Sequence, residues 1–225
     1  MSLILNHLLS RCFFSIPILL IGLLIFSPGI EAVNRTKQKT SDYTKRSGGQ
    51  VAVLKKGLSM PHADLRFTVF PEEKKIGGIA ILTLSADTDR RKIALDLDRV
   101  FKIREIQFNG NQLSKHLYRN PDGLLEIQLP EVVKGDFKLL ISYIGHPKVA
   151  ENAPWDSGFV WAKTRNKQHW IATAVQDEGG DLFWPCLDHP KGEPGSVDIH
   201  ITVPAPLVAV ANGTFMGRAK NGNDW

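Results

Sequence analysis

Val197-Asp198-Ile199-His200-Ile201-Thr202-Val203 sets an apolar side chain at every second position. A β-strand turns successive side chains to opposite faces, so four apolar residues point one way and Asp198, His200 and Thr202 the other. The same period recurs upstream. Leu65, Phe67 and Val69 alternate with Arg66 and Thr68; Ile93, Leu95 and Leu97 with Ala94 and Asp96; Leu125, Ile127 and Leu129 with Glu126 and Gln128. Phe137, Leu139, Ile141 and Tyr143 form a further series. Turn signals fall between the runs at Asn109-Gly110, Asn120-Pro121-Asp122-Gly123, Lys134-Gly135-Asp136 and Asn212-Gly213, where positive φ or tight reversal is favoured. No window carries the apolar spacing of a long amphipathic helix. The expected fold is all-β, an antiparallel sandwich of curved sheets over residues 63–225. The last strand has no evident partner, and the domain is expected to be incomplete at its C-terminal end.

Outside this domain the chain changes character. Arg11 precedes an apolar run from Cys12 to Phe26, and Ser27-Pro28-Gly29 then breaks any helix before the small residue Ala32. Charged start, short apolar run and small-residue exit are the parts of an export signal. Residues 1–32 are read as a signal helix, with an uncleaved membrane anchor as the alternative. Export to the periplasm or the extracellular space follows. Residues 33–62 are polar, basic and aperiodic, and are read as a flexible linker.

The 225 residues carry a formal charge of +5, and much of the excess lies between Asn34 and Lys56, where Asp42 is the one acid. The remainder is close to balanced, which argues against a nucleic-acid surface. Of the two cysteines, Cys12 lies inside the signal. Its removal leaves Cys186 without a disulfide partner or a Cys-based zinc site, and Cys186 reads as a small buried hydrophobe. None of the seven histidines is followed by Glu, and no pair has the spacing of a zinc-protease helix. No nucleophile elbow or phosphate-binding loop occurs.

Chemistry concentrates in Gln176-Asp177-Glu178-Gly179-Gly180-Asp181-Leu182-Phe183-Trp184-Pro185-Cys186-Leu187-Asp188-His189-Pro190. Ordinary strand connections are shorter, so a long connection dense in polar and aromatic residues points to a function. Four of the five tryptophans fall between 155 and 184, a cluster that either packs a core or lines a pocket. Residues 155–161 and 169–176 read as a hairpin running into the loop. Asp188 and His189 are neighbours in sequence and so point apart; Asp188 reads as a turn cap that accepts backbone N–H groups.

Gly158-Phe159, a strand ending in Gln176, then Phe183-x-Pro185-Cys186-x-Asp188-x-Pro190, an alternating strand and Asn212-Gly213 together resemble the N-terminal domain of the zinc aminopeptidases of the aminopeptidase N and leukotriene hydrolase type. The likeness covers about residues 63–225 and is densest from Trp155 to Gly213. It implies a saddle-like, all-β, non-catalytic module beside a separate catalytic domain, which would carry the zinc and release N-terminal amino acids from peptides. This chain itself would hold no metal and would be inactive alone. The resemblance makes Gln176 a candidate substrate-binding residue, while tying the loop to backbone is the competing role. It makes Pro185, Cys186, Asp188 and Pro190 structural loop residues. The chain departs from the pattern at His189, at Lys191, and at Gly179-Gly180-Asp181, where many members carry an Ala-Arg pair. The rival function is a stand-alone secreted β-sandwich that binds peptide or protein partners.

Overall fold

The computed structural model describes residues 39–220. The expected signal helix and the first residues of the expected linker lie outside that range.

The strands are β1 (Leu58–Phe70), β2 (Lys75–Asp96), β3 (Phe101–Phe108), β4 (Asn111–Gln112), β5 (Tyr118–Arg119), β6 (Leu124–Gly145), β7 (Gly158–Lys163), β8 (His169–Ala174) and β9 (Val197–Thr202). A mixed seven-stranded sheet has the order β4-β3-β6-β2-β1-β9, with β5 added alongside β6. β7 and β8 form a second, two-stranded sheet. The all-β expectation holds, with one correction to its antiparallel character. β9 lies parallel to β1, in register Ala63↔Val197 through Thr68↔Thr202. The last strand therefore has a partner, reached by a long connection through the β7–β8 hairpin and the loop after it.

β2 and β6 are both 22 residues long and run antiparallel over most of their length. That pairing explains a second correction. Lys134-Gly135-Asp136 does not reverse the chain; it lies inside β6, where Gly135 at φ +78° pairs with Ala86 and the register then shifts. The positive φ is used for a bulge that bends two long strands together. Asn109-Gly110 is a true reversal, joining β3 to β4 with both residues at positive φ, as a two-residue hairpin with the native twist requires. The Asn120–Gly123 turn closes through the Asn120 side chain, whose Oδ1 accepts the Gly123 N–H at 2.9 Å.

Alternation places the core. Leu65, Ile76, Ala80, Leu82, Leu84, Ile106, Leu139 and Ile141 are buried on one face of the large sheet. Phe159 of the hairpin joins that cluster, and Trp161, Ile171, Phe183 and Trp184 pack against it. The second sheet is thus held by aromatic packing. Phe159 stacks on Trp161 with centroids 5.2 Å apart, and meets Phe183 edge-on at the same separation. Such geometries suit the ring quadrupoles.

The expected flexible linker over 33–62 does not extend through the described part of that range. β1 already begins at Leu58. Residues 39–57 form a strap of turns and a short 3-10 segment, in which Ser41, Thr44 and Lys55 are buried. The reason lies at the end of β2. Ile93, Ala94, Leu95 and Asp96 are all buried, so both faces of the strand are covered there. Ile93 and Leu95 enter the core. Asp96 lies against the strap.

Candidate functional site

The 175–190 connection splits into an exposed part and a pinned part. Gln176 lies two residues past the end of β8, after Val175, and is exposed. Its backbone is fixed even so: the buried Ser157 hydroxyl donates to the Gln176 carbonyl, and Asp177 turns the chain at φ +62°. The Gln176 side chain has no hydrogen-bond partner among the described residues, while the main chain at 176 is tied down. Glu178 then turns back and pairs with Lys148 at 2.7 Å.

From Gly179 the loop is clamped. A Cβ on Gly179 would overlap the Asp188 carboxylate, so glycine is required for this close approach. Gly180–Leu182 make a 3-10 turn in which the Gly180 carbonyl accepts the N–H groups of Phe183 and Trp184 at 2.9 and 3.1 Å. The fully buried Tyr143 donates its hydroxyl to the Phe183 carbonyl at 2.7 Å. Pro185, Cys186 and Leu187 are buried. Cys186 and Asp96 exchange backbone hydrogen bonds at 2.8 and 2.9 Å, as two paired strand residues would. Burial, followed by the charges of Asp181, Asp96 and Asp188, raises the Cys186 thiol well above its ordinary range. It is a neutral packing group and a poor nucleophile.

Asp188 is half-buried and serves the loop on three sides. Its carboxylate accepts the Ser47 hydroxyl at 3.0 Å and the Gly180 N–H, and its own N–H donates to Asp96 Oδ2 at 2.8 Å. His189 turns elsewhere: its Nδ1 accepts the Lys191 N–H at 3.1 Å and caps the 3-10 turn that Pro190 opens. Asp188 and His189 thus face different partners. Pro190, exposed at the first position of that turn, lies across from Gly48 of the strap.

Asp96 is the hub of this arrangement. Lys55 Nζ lies 2.7 Å from each of its oxygens, the Tyr43 hydroxyl 2.7 Å from Oδ1, and the Asp188 N–H 2.8 Å from Oδ2. Lys55 is 7% exposed and Asp96 1%. A buried charge survives only when paired and hydrogen-bonded, and here the strap supplies both the cation and the hydroxyl. Asp98 repeats the pattern with the Thr40 hydroxyl at 2.7 Å and the Val100 N–H at 3.2 Å. The strap residues were invisible to a reading by hydropathy, because Thr40, Tyr43, Thr44, Ser47 and Lys55 look like solvated linker. The one signal available was the Asp96 and Asp98 pair on an otherwise apolar strand end, which needs donors from somewhere.

The tryptophans divide. Trp161 and Trp184 pack against the core, whereas Trp155 and Trp170 are 75% and 55% exposed. Among the described residues, no group of three or more His, Cys, Asp or Glu side chains is placed to hold a metal ion. The aspartates at the strap are matched to an ammonium group, hydroxyls and backbone N–H groups, a donor set that does not suit a divalent cation. Also among the described residues, no helix is long and apolar enough to cross a membrane.

The profile of the Peptidase M1 N-terminal domain matches residues 59–225. The chain belongs to this family. The M1 N-terminal match begins one residue inside β1 and takes in the whole large sheet, the hairpin and the clamped loop. Among solved structures, a point mutant of an M1 zinc metallopeptidase from Deinococcus radiodurans, bound to a Tyr-Ser-Ala substrate, is 25% identical with a TM-score of 0.58. The match covers 75% of this chain and 38% of that one. The unmutated Deinococcus enzyme is 24% identical, with a TM-score of 0.59, over 82% of this chain and 41% of its own. Leukotriene A4 hydrolase from Saccharomyces cerevisiae shares the fold at 16% identity and a TM-score of 0.54, over 85% of this chain and 28% of its own. This M1 N-terminal chain thus spans about two fifths or less of the length of these structures. No individually curated protein matches it.

Proposed function

We propose that this chain forms the non-catalytic, N-terminal cleft wall of a zinc aminopeptidase, with Gln176 reaching bound peptide. The supporting observation is the contrast within one loop. Gln176 holds its main chain through Ser157 and leaves its amide exposed, while Asp181 to Asp188 of the same loop are wholly or partly buried and tied by Tyr143, Asp96 and Ser47. A neutral amide carries two donors and an acceptor, so it can meet a peptide amine or carbonyl without adding charge. Family membership supports the wider reading, and the Deinococcus relative was solved with a tripeptide substrate bound. In this proposal the zinc and the hydrolytic step belong to a catalytic domain that partners this one, and the chain is exported through its N-terminal apolar run.

The test uses the 225-residue chain with zinc and an aminoacyl-arylamide substrate, followed by calorimetric titration with the peptide Tyr-Ser-Ala. The expected results are no chelator-sensitive turnover, and weak peptide binding that Gln176→Ala lowers by about fivefold to tenfold, the worth of one hydrogen bond. Zinc-dependent turnover by this chain would overturn the non-catalytic role. Unchanged binding in the alanine variant would remove Gln176.

A second reading rests on the exposed Trp155 and Trp170. They favour a stand-alone module that holds a peptide or protein partner on the hairpin. Replacing both by Ala separates the two readings, because it abolishes binding in the second and spares the Gln176 contact in the first.

A further inference from the structure

Four carboxylates, from Asp96, Asp98, Asp181 and Asp188, converge where the strap crosses the clamped loop. The one ammonium group bonded there among the described residues is that of Lys55, on Asp96. Asp98 and Asp188 are met by Thr40 and Ser47 hydroxyls. Asp181 is the exception. It is 1% exposed, and its Oδ1 has no hydrogen-bond partner; the Thr44 hydroxyl is its side-chain contact. An ionised carboxylate in this place would be buried, half-satisfied and opposed by three others, which costs far more than a neutral acid does.

We propose that Asp181 is a proton-operated latch for the strap: while its carboxyl is neutral, residues 39–57 stay docked on the loop, and its ionisation loosens them.

The carboxylates facing Asp181 favour its proton, and the Thr44 hydroxyl, hydrogen-bonded to it, opposes them. Asp96 and Asp98 face it from the end of β2, and Asp188 and the Cys186 thiol from the loop. Tyr43 and Thr44 face it from the strap, and Lys55 acts at one remove through Asp96. Glu178 adds its charge beyond Asp98. Burial first, then Asp188, Asp96 and Asp98, push Asp181 up to about 8. Burial also raises Asp98 and Asp188, against the pull of the hydroxyls they accept.

A released Asp181 ionises near the ordinary value of about 3.9. Between that and about 8 the docked form holds more protons than the open form. The open-to-docked ratio therefore rises by up to about tenfold for each pH unit in this window. Below it both forms are protonated and docking is tightest. Above it both are ionised and the ratio levels off. The strap is thus held more firmly in mildly acidic surroundings than at neutral pH.

Trypsin reads the open form, because cleavage after Lys45 and Arg46 needs the strap released. The whole chain is digested between pH 6 and 9, each rate being divided by that for the free strap peptide at the same pH. The expected result is a rise of about tenfold from pH 6 to 7, a shallower rise beyond, and a plateau by about pH 9. Asp181→Asn should stay near the pH 6 rate throughout, while Asp42→Asn, exposed on the same strap, should follow the parent chain. Carbon-detected NMR of the Asp181 carboxyl in the unaltered chain should titrate near 8. A midpoint between 3 and 5, a pH-independent cleavage rate, or an Asn variant that keeps the parent slope each overturns the latch. If the Asn variant does not fold, the NMR midpoint decides alone.

Discussion

The two ends of β2 read alike in sequence and differ in the folded chain. Over Ile76 to Ala86 the strand alternates, with Ile76, Gly78, Ala80, Leu82, Leu84 and Ala86 buried and the residues between them wholly or partly open to water. Over Ile93 to Asp96 the alternation continues, yet all four residues are buried. The first end lies under one layer. The second lies between the core and the strap-loop junction. An aspartate on the first end would be a solubilising residue; Asp96 on the second is a structural ion. The lesson is that a polar residue at an alternate position marks the face away from the core and does not say whether water or another segment covers it.

The largest effect that separates the two ends is expected from Lys55→Ala. Removing the cation leaves Asp96 buried without its ion pair, which costs about 3–5 kcal/mol, read as a shift in the urea midpoint. A small shift would show that the strap end is wetter than its burial indicates. Leu95→Ala empties a fully buried position beside the same junction, at about 2–5 kcal/mol in the same measurement. Tyr43→Phe removes one hydroxyl from Asp96 and keeps the ring; with Lys55 still in place the loss should be about 1–2 kcal/mol. At the other end, Arg66→Ala removes the Arg66–Asp64 pair beside Ile79. Arg66 is exposed, so the loss should be at most about 1 kcal/mol and fade in high salt. A result in which Arg66→Ala matched Lys55→Ala would erase the distinction.

Much of the fold was legible because period-two hydrophobicity is a direct consequence of strand geometry. Leu65 to Val69, Ile93 to Leu97, Leu125 to Leu129 and Val197 to Thr202 all lie on or at the ends of strands. Three features were not legible, each for a physical reason. Gly135 supplies positive φ equally to a reversal and to a bulge, and only the partner strand decides between them. β9 pairs with β1 across more than a hundred residues, and its parallel direction is a property of the whole connection. The strap is built from hydroxyls and a lysine, whose burial depends on aspartates far along the chain. At the candidate site, the placement of Gln176 at the end of a hairpin was legible from the strand pattern. The Asp188 cap was legible from the chemistry of a carboxylate in a glycine-rich turn. The dependence of that loop on residues 40–55 was not.

The loop itself offers the most direct trial of the cleft-wall account. Isotope-labelled chain titrated with Tyr-Ser-Ala, followed amide by amide in NMR, should shift signals at Gln176 and Asp177 while those of Asp96, Cys186 and Asp188 hold still. Shifts confined to the Trp155 and Trp170 face, or spread through the clamped loop with Gln176 unmoved, would contradict it.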